Sequence, residues 1–291
     1  MSERLAFIGA GNMARSLIGG LLQDGHPAGD ICASDPSAAS CEALVAEFGV
    51  HCTHDNRTAL RDADCVVLAV KPQVMHAVAA ELGVELARLA APARPLLISI
   101  AAGIRVADLA RWLGCEAALV RCMPNTPALL RAGATALFAD GAVSASQRAL
   151  AQRVLAAAGV TVWVDDEAQL DAVTALSGSG PAYFFAVLEA MQTAAVELGL
   201  PADMARQLAI ETCYGAARMA RDSGDQPAEL RRRVTSPGGT TAAALAAFEA
   251  GGLEALFATG MRAARDRAVE LGDQLGRVDR VSGDAVSGGG A

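Results

Sequence analysis

Aromatic side chains make up only 4% of this 291-residue chain. Alanine and leucine dominate the apolar content instead, which favours helices packed closely on small side chains over a β-sandwich. No apolar run reaches the roughly 18–20 residues that a membrane span needs. The opening residues, MSERLAFIGAG, run straight into a strand, with no basic region ahead of a long apolar one, so no signal peptide is expected. Positive charge is short as well. The net charge of −8 argues against broad nucleic-acid binding, though not against a local basic pocket. The seven cysteines are odd in number and none has C-x-x-C spacing. Several stand in apolar strands, where a free cysteine acts as a small hydrophobe, so the expectation is a reducing, cytoplasmic protein without structural disulfides. His51, Cys52 and His54 lack a second cluster to complete a tetrahedral set, and no metal site is expected.

What is present is a chain of 53% hydrophobic residues with mean hydropathy +0.31, long enough for two domains or one large one. Short, continuous apolar runs alternate with helical spacing through the first half. Strands are expected at 4–8, in DICASDPS, and at 64–70, 95–103, 117–127, 134–139 and 161–164. Helices fall between them, among them 38–48, 73–90 and 105–113. This is the pattern of a parallel sheet covered on both faces, a doubly wound α/β domain over 1–165. Beyond residue 165 the spacing is helical only, over 166–198, 201–223, 226–234 and 240–271, giving an all-α domain over 166–275. A Gly/Ser-rich tail, 276–291, is expected to be disordered.

FIGAGNMA places G-x-G-x-x-A between a strand and a helix. Gly9 permits the tight turn, Gly11 lets backbone approach a pyrophosphate, and Ala14 allows close packing of helix on strand. The amides of the helix N-terminus then meet the negative charge, so Ile8, Gly9, Ala10, Gly11, Asn12, Met13 and Ala14 form a candidate dinucleotide cradle. Asp35 ends the second strand. An acid there accepts from the ribose 2′-hydroxyl and repels a 2′-phosphate, which points to NAD. Two alternatives stay open: Ser34, Ser37 and the amides after Pro36 holding a phosphate with Asp35 turned outward, and Asp35 serving only as an N-cap for the helix near 38. Ala69, Val70, Lys71 and Pro72 stand at the carboxyl end of another strand, along the edge where ligands bind in open parallel sheets. Asn56 is a candidate for the adenosine side. Ala101 and Ala102 are small enough to let a nicotinamide ribose pass.

SGSGPAYFF, from Ser177, interrupts a helical stretch with two glycines and a proline. These residues cost roughly 1 and 3 kcal/mol each in a helix relative to alanine. Either a kink where a flat ring packs against bare backbone or a loop between two helices explains them.

FIGAGNMA, AVKP, RCMPNTPALLRAG, SGSGPAYFF and RRRVTSPGGTTAAALAAFE follow in this order over about residues 4–270, and in this the chain resembles pyrroline-5-carboxylate reductases. The resemblance implies reduction of 1-pyrroline-5-carboxylate to L-proline with NADPH or NADH. It implies an N-terminal Rossmann domain and a C-terminal helical domain that interlocks with a second copy, in some members within a pentamer of dimers. It puts Gly9 to Ala14, Asn56 and Ala69 to Pro72 on the cofactor. It puts Ser236, Gly238, Gly239, Thr240 and Thr241 on the loop that holds the substrate carboxylate, with Thr241 at the ring nitrogen and Glu167 near the substrate. Asp35 departs from members that carry serine, which leaves NADP or NAD open. SPGGTT before a helix has free amides for a carboxylate, Pro237 stiffens the loop, and Thr241 offers a hydroxyl that can donate and accept. Two alternatives stand beside this reading: a β-hydroxyacid dehydrogenase, which would need a catalytic lysine in the helical domain where residues 166–271 contain none, and a non-catalytic dinucleotide-binding protein, which the intact TSPGGTT turn and SGSGPAY segment disfavour.

Overall fold

In the computed structural model, residues 2–277 are described. β1 (Leu5–Ile8), α1 (Asn12–Gln23), β2 (Ile31–Ser34), α2 (Ala38–Phe48), β3 (His51–Thr53), α3 (Asn56–Leu60), β4 (Cys65–Leu68), α4 (Pro72–Ala87), β5 (Leu96–Ser99), α5 (Val106–Leu113) and β6 (Leu119–Met123) alternate strand with helix. β7 (Gly133–Ala139), α6 (Ala145–Ala156) and β8 (Gly159–Trp163) extend the series. The strands form one sheet in the order β3-β2-β1-β4-β5-β6-β7-β8. β4 and β5 are buried along their whole length, as continuous apolar runs require. Successive residues serve opposite faces. Phe7 and Val67 join one apolar layer with Leu17 and Ile18 of α1. Ile8, Val66 and Leu68 join the other with Met75 and Leu82 of α4.

The expectation of a wholly parallel sheet is corrected at one edge: β7 runs antiparallel to β6, and β8 is parallel to β7. The link from Met123 to Gly133 holds only a short 3-10 turn, Thr126–Leu130. A parallel return would need a longer crossover.

The expectation of no disulfide is also corrected. Cys41 of α2 and Cys52 of β3 are bonded, with Cα atoms 5.4 Å apart. α2 ends at Gly49, whose φ of 68° turns the chain back along the helix into β3. That reversal brings the two thiols together at a spacing that carries no motif. Cys32, Cys65, Cys115, Cys122 and Cys213 are free, and burial pushes the thiols of Cys65 and Cys122 well above their ordinary value.

The chain divides into two compact units. Of the described residues, 2–178 with 264–277 make the first, and 179–263 make the second. After α7 (Gln169–Val173), Thr174–Gly178 winds as a single π turn before α8 (Gly180–Glu197). The glycines of SGSGP therefore lie in a helix irregularity, with Pro181 in the first turn of α8, where its missing N–H costs little. A Cβ on Gly178 would stand 2.5 Å from the Met123 side chain, so a close approach fixes that glycine.

In the second unit α8 packs on α9 (Ala202–Ser223), followed by α10 (Pro227–Arg233) and α11 (Thr240–Ala250). The single helix expected over 240–271 is broken at Gly251-Gly252, where φ of Gly252 is 74°, and α12 (Leu253–Gly276) departs at 51°. Among the described residues no single helix is long and apolar enough to cross a membrane. Only Gly180, Ala205 and Ala209 are buried in this unit, while Phe184, Phe185, Tyr214, Phe248 and Leu256 are exposed. Exposed large apolar side chains on a helical unit with so few buried residues mark a surface suited to association. The tail expected over 276–291 lies, from residue 278 on, outside the described residues.

Candidate active site

The chain leaves β1 toward β2 and β3 on one side and returns at β4 on the other, so the strand order reverses between the parallel strands β1 and β4. Ligands of such sheets bind outside the carboxyl ends of the strands at this point. Gly9 stands there with φ 104°, and a Cβ on it would be 2.7 Å from the Ala69 carbonyl oxygen. Its N–H donates to the Ser34 carbonyl at 2.7 Å, and Ala69 N–H donates to the Ile8 carbonyl at 2.8 Å. Gly11 is the N-cap of α1 and offers no side chain to its first turn. A Cβ on Gly11 would meet nothing within 4 Å, so there is open space beside the start of α1, where Asn12 is exposed and Met13 half-buried. An uncapped helix N-terminus over open space is an anion cradle, and these residues fit a dinucleotide pyrophosphate. Ala14 is fully buried, as close packing of α1 on the sheet requires.

Asp35 is fixed by both carboxylate oxygens. Oδ2 accepts from Ala10 N–H at 2.9 Å and Oδ1 from Ser37 N–H at 2.9 Å. Its carbonyl lies 2.8 Å from His54 Nδ1. Asp35 is therefore turned toward the glycine-rich turn. It does not cap α2, whose N-cap is Ser37, accepting from Ser40 N–H. Ser34, buried, donates to Asn56 Oδ1 at 2.7 Å, and Asn56 Nδ2 donates to Glu81 at 2.9 Å. Lys71, the chain's single lysine, is exposed as the N-cap of α4, with Pro72 as its first residue. Ala101 is buried and Ala102 exposed beyond β5. The structure thus brings the whole candidate cofactor set to the carboxyl edge of one sheet. A cavity of about 1000 Å³ lined by Glu3, Arg4, Asp62 and Asp64 lies instead beside the amino end of β1, away from this edge.

Glu167 belongs to the first unit. Its Oε1 accepts from Val106 N–H at 2.8 Å and from Arg121 Nη1 at 3.0 Å. Arg121 Nη2 is 3.7 Å from Asp171 Oδ1. Burial pushes the Asp171 carboxyl above its ordinary value, against the pull of Arg121 and Arg105. The sequence offered RCMPNTP, residues 121–127, only as a whole, as a strand end at the cofactor edge forming the wall between nicotinamide and substrate, and within it the structure singles out Arg121 and Asn125. Asn125 donates to the Ser177 carbonyl and accepts from Ala134 N–H, tying the β6–β7 link to the π turn. The usable signal for Arg121 was a lone arginine within an apolar strand.

Ser236 to Thr241 lie in the second unit. Gly238 has φ 69°, Gly239 N–H donates to the Ser236 carbonyl at 3.0 Å, and Gly239 is a bare N-cap for α11. Thr240 and Thr241 open that helix, both exposed. The loop therefore has the form of the first cradle: glycine, uncapped helix, amides outward. Arg233 does not point freely at this loop. It is paired with Asp225 and Glu229, and Arg232 with Glu229, holding the Glu229 carboxyl below its ordinary value.

Residues 167–271 match the family described as pyrroline-5-carboxylate reductase dimerisation. A pyrroline-5-carboxylate reductase of Pseudomonas aeruginosa is 53% identical over 95% of this chain and 99% of its own. The chain belongs to the pyrroline-5-carboxylate reductase family. Residues 4–103 match the family described as NADP oxidoreductase, coenzyme F420-dependent. Among solved members, the Coxiella burnetii reductase superposes with a TM-score of 0.89 at 43% identity, over 93% of this chain and 99% of that one. A Plasmodium falciparum pyrroline carboxylate reductase with NADP bound has a TM-score of 0.79 at 26% identity, over 93% of this chain and 98% of that one. The family's architecture, a Rossmann-type sheet followed by an all-helical dimerisation domain, is the one described above.

Proposed function

We propose that this protein reduces 1-pyrroline-5-carboxylate to L-proline with NADPH or NADH, the last step of proline biosynthesis. The observation that carries the reading is the uncapped, open N-terminus of α1 at the sheet's switch point, in a chain 53% identical to a named reductase. When bound, the reduced nicotinamide supplies the hydride that adds to the imine carbon. A proton adds to nitrogen, so that C=N becomes CH–NH.

Gly9 to Ala14 bind the pyrophosphate, and Ser34, Asp35 and Asn56 surround the adenosine ribose. Ala69 to Pro72, Ala101 and Ala102 line the path toward the nicotinamide. In the second unit, amides from Ser236 to Thr240 hold the substrate carboxylate against the positive end of the α11 dipole. The Thr241 hydroxyl orients the ring nitrogen, as donor to the imine or acceptor from the amine. No histidine or cysteine stands in this loop. Its contribution is therefore positioning and electrostatics, with the proton arriving from water or through Thr241.

The uncovered apolar surface of residues 179–263 supports a homodimer with interlocked helical domains, and a decamer of five such dimers is the larger assembly in this reading. The test is oxidation of each reduced nicotinamide in the presence of pyrroline-5-carboxylate, with β-hydroxyacids and the oxidised cofactors as the counter-assay. Turnover of the imino acid with either cofactor is the expected result. Turnover of a β-hydroxyacid alone, or of nothing, overturns the reading.

A further inference from the structure

Arg121 occupies the third position of β6, where its side chain is 7% exposed. A guanidinium so buried must be paired, because removing its partners would leave an uncompensated charge. Glu167 is the near partner at 3.0 Å and Asp171 the far one at 3.7 Å. The oxygen of Glu167 that takes Arg121 also accepts the N–H of Val106. Val106 is the first residue of α5, and the N-cap residue Arg105 contributes no side-chain cap. A carboxylate 61 residues downstream therefore satisfies this helix start, and its charge suits the positive end of the helix dipole.

The helix start is also the end of the turn that carries Ala101 and Ala102. Arg121 is in register with Ser99, the last residue of β5. The turn is held a second time from α12. Arg105 pairs with Asp273 at 2.8 Å, and a Cβ on Gly103, whose φ is 77°, would meet Leu275 at 3.1 Å. The segment from Ala101 to Val106 is thus pinned by one ion pair, Arg105 with Asp273, and by the hydrogen bond from Val106 N–H to the Glu167 carboxylate that Arg121 holds.

We infer that Arg121 is a positioning residue for hydride transfer, acting through Glu167 to fix the 101–106 turn at the cofactor edge. The inference rests on the proposed reduction and on the assignment of Ala101 and Ala102 to the nicotinamide side. It gives Glu167 a role in holding this turn, with the substrate held by the α11 loop. Arg121 itself touches neither cofactor nor substrate. Its effect is on alignment, where a displacement of about 1 Å costs on the order of a hundredfold in rate.

Two readouts test it on the full-length protein: hydrogen exchange of the cofactor-free protein, and steady-state kinetics with NADPH and its 4-deuterated form. In Glu167→Ala, which removes the acceptor, the Val106 amide should exchange about tenfold faster or more, and in Arg121→Met, which takes the buried cation from the Glu167 carboxylate, it should exchange faster by a smaller factor. Exchange at Gly9 to Ala14 should be unchanged. kcat should fall by about ten- to a hundredfold with a larger deuterium isotope effect, while KM for NADPH moves by less than about threefold. Glu167→Gln retains an oxygen acceptor for Val106 but leaves the buried Arg121 charge to Asp171 alone, so it should keep most of the protection at Val106 and lose less rate than Glu167→Ala.

Wild-type kcat and wild-type exchange in Glu167→Ala would overturn the inference. So would a Glu167→Gln that is as slow as Glu167→Ala while Val106 stays protected, since that would make the Glu167 charge a direct contact of the reaction. If Arg121→Met does not fold, the Glu167 pair decides alone. Should the wild type turn over no pyrroline-5-carboxylate, the proposed reduction fails, and exchange at Val106 still decides whether the brace exists.

Discussion

The backbone amide of Ala10 donates to the Asp35 carboxylate at 2.9 Å, so the end of the second strand holds the turn that follows the first. Asp35 thus holds the glycine-rich turn, and in the proposed dinucleotide site its negative charge would stand against a 2′-phosphate. Asp35→Ser should raise KM for NADH by about tenfold, the scale of a lost charged hydrogen bond, and shift the NADPH/NADH ratio of kcat/KM toward NADPH. Measuring both cofactors on both proteins checks it. An unchanged ratio would remove Asp35 from discrimination.

Gly9 and Gly11 should fail differently on substitution by alanine. At Gly9 the new Cβ would lie 2.7 Å from the Ala69 carbonyl oxygen on a backbone of φ 104°. Gly9→Ala should cost about 1–3 kcal/mol or more in stability and be visible in thermal unfolding without any ligand. At Gly11 the Cβ meets nothing, so Gly11→Ala should unfold at the wild-type temperature yet bind NADPH poorly, the methyl occupying space that backbone must leave to the pyrophosphate. Titration of NADPH by fluorescence, beside the melting curves, separates the two.

Thr241→Ala removes one exposed hydroxyl at the start of α11. The expected loss in kcat/KM for the imino acid is about 1–3 kcal/mol, the range for a hydrogen bond whose partner is left unsatisfied, with NADPH affinity unchanged. Thr241→Ser should recover most of it. An equal loss of cofactor affinity would place the residue elsewhere in the mechanism.

Asp171 links stability to pH. Burial raises its carboxyl above the ordinary 3.8, so between that value and the raised one the folded protein binds the proton that the unfolded chain has released. Stability from this group therefore increases as pH falls through that window and is lost as pH rises above it. Asp171→Asn cannot titrate. The unfolding temperature of the wild type relative to Asp171→Asn should accordingly improve on acidification from neutrality toward pH 4. A difference constant over that range would show that Asp171 keeps an ordinary titration.

Local chemistry was legible in the chain itself. A glycine-rich turn between strand and helix, the Lys71-Pro72 strand end and the Ser236–Thr241 loop are each written in adjacent residues, because φ freedom, a fixed proline and a bare helix start are properties of neighbours. The alternation that marks a covered sheet is a property of short windows as well. What only the tertiary structure decided involves partners far apart in sequence or apolar residues whose face is not set locally. The Cys41–Cys52 bond depends on where α2 delivers its side chain. The reversal of β7 depends on how little chain separates it from β6. The hold of Arg121 and Glu167 on Val106 spans strand, loop and helix. Periodicity and motif describe what one segment prefers, whereas these contacts exist only once the packed chain places distant charged or sulfur-bearing groups beside one another, where burial favours their pairing.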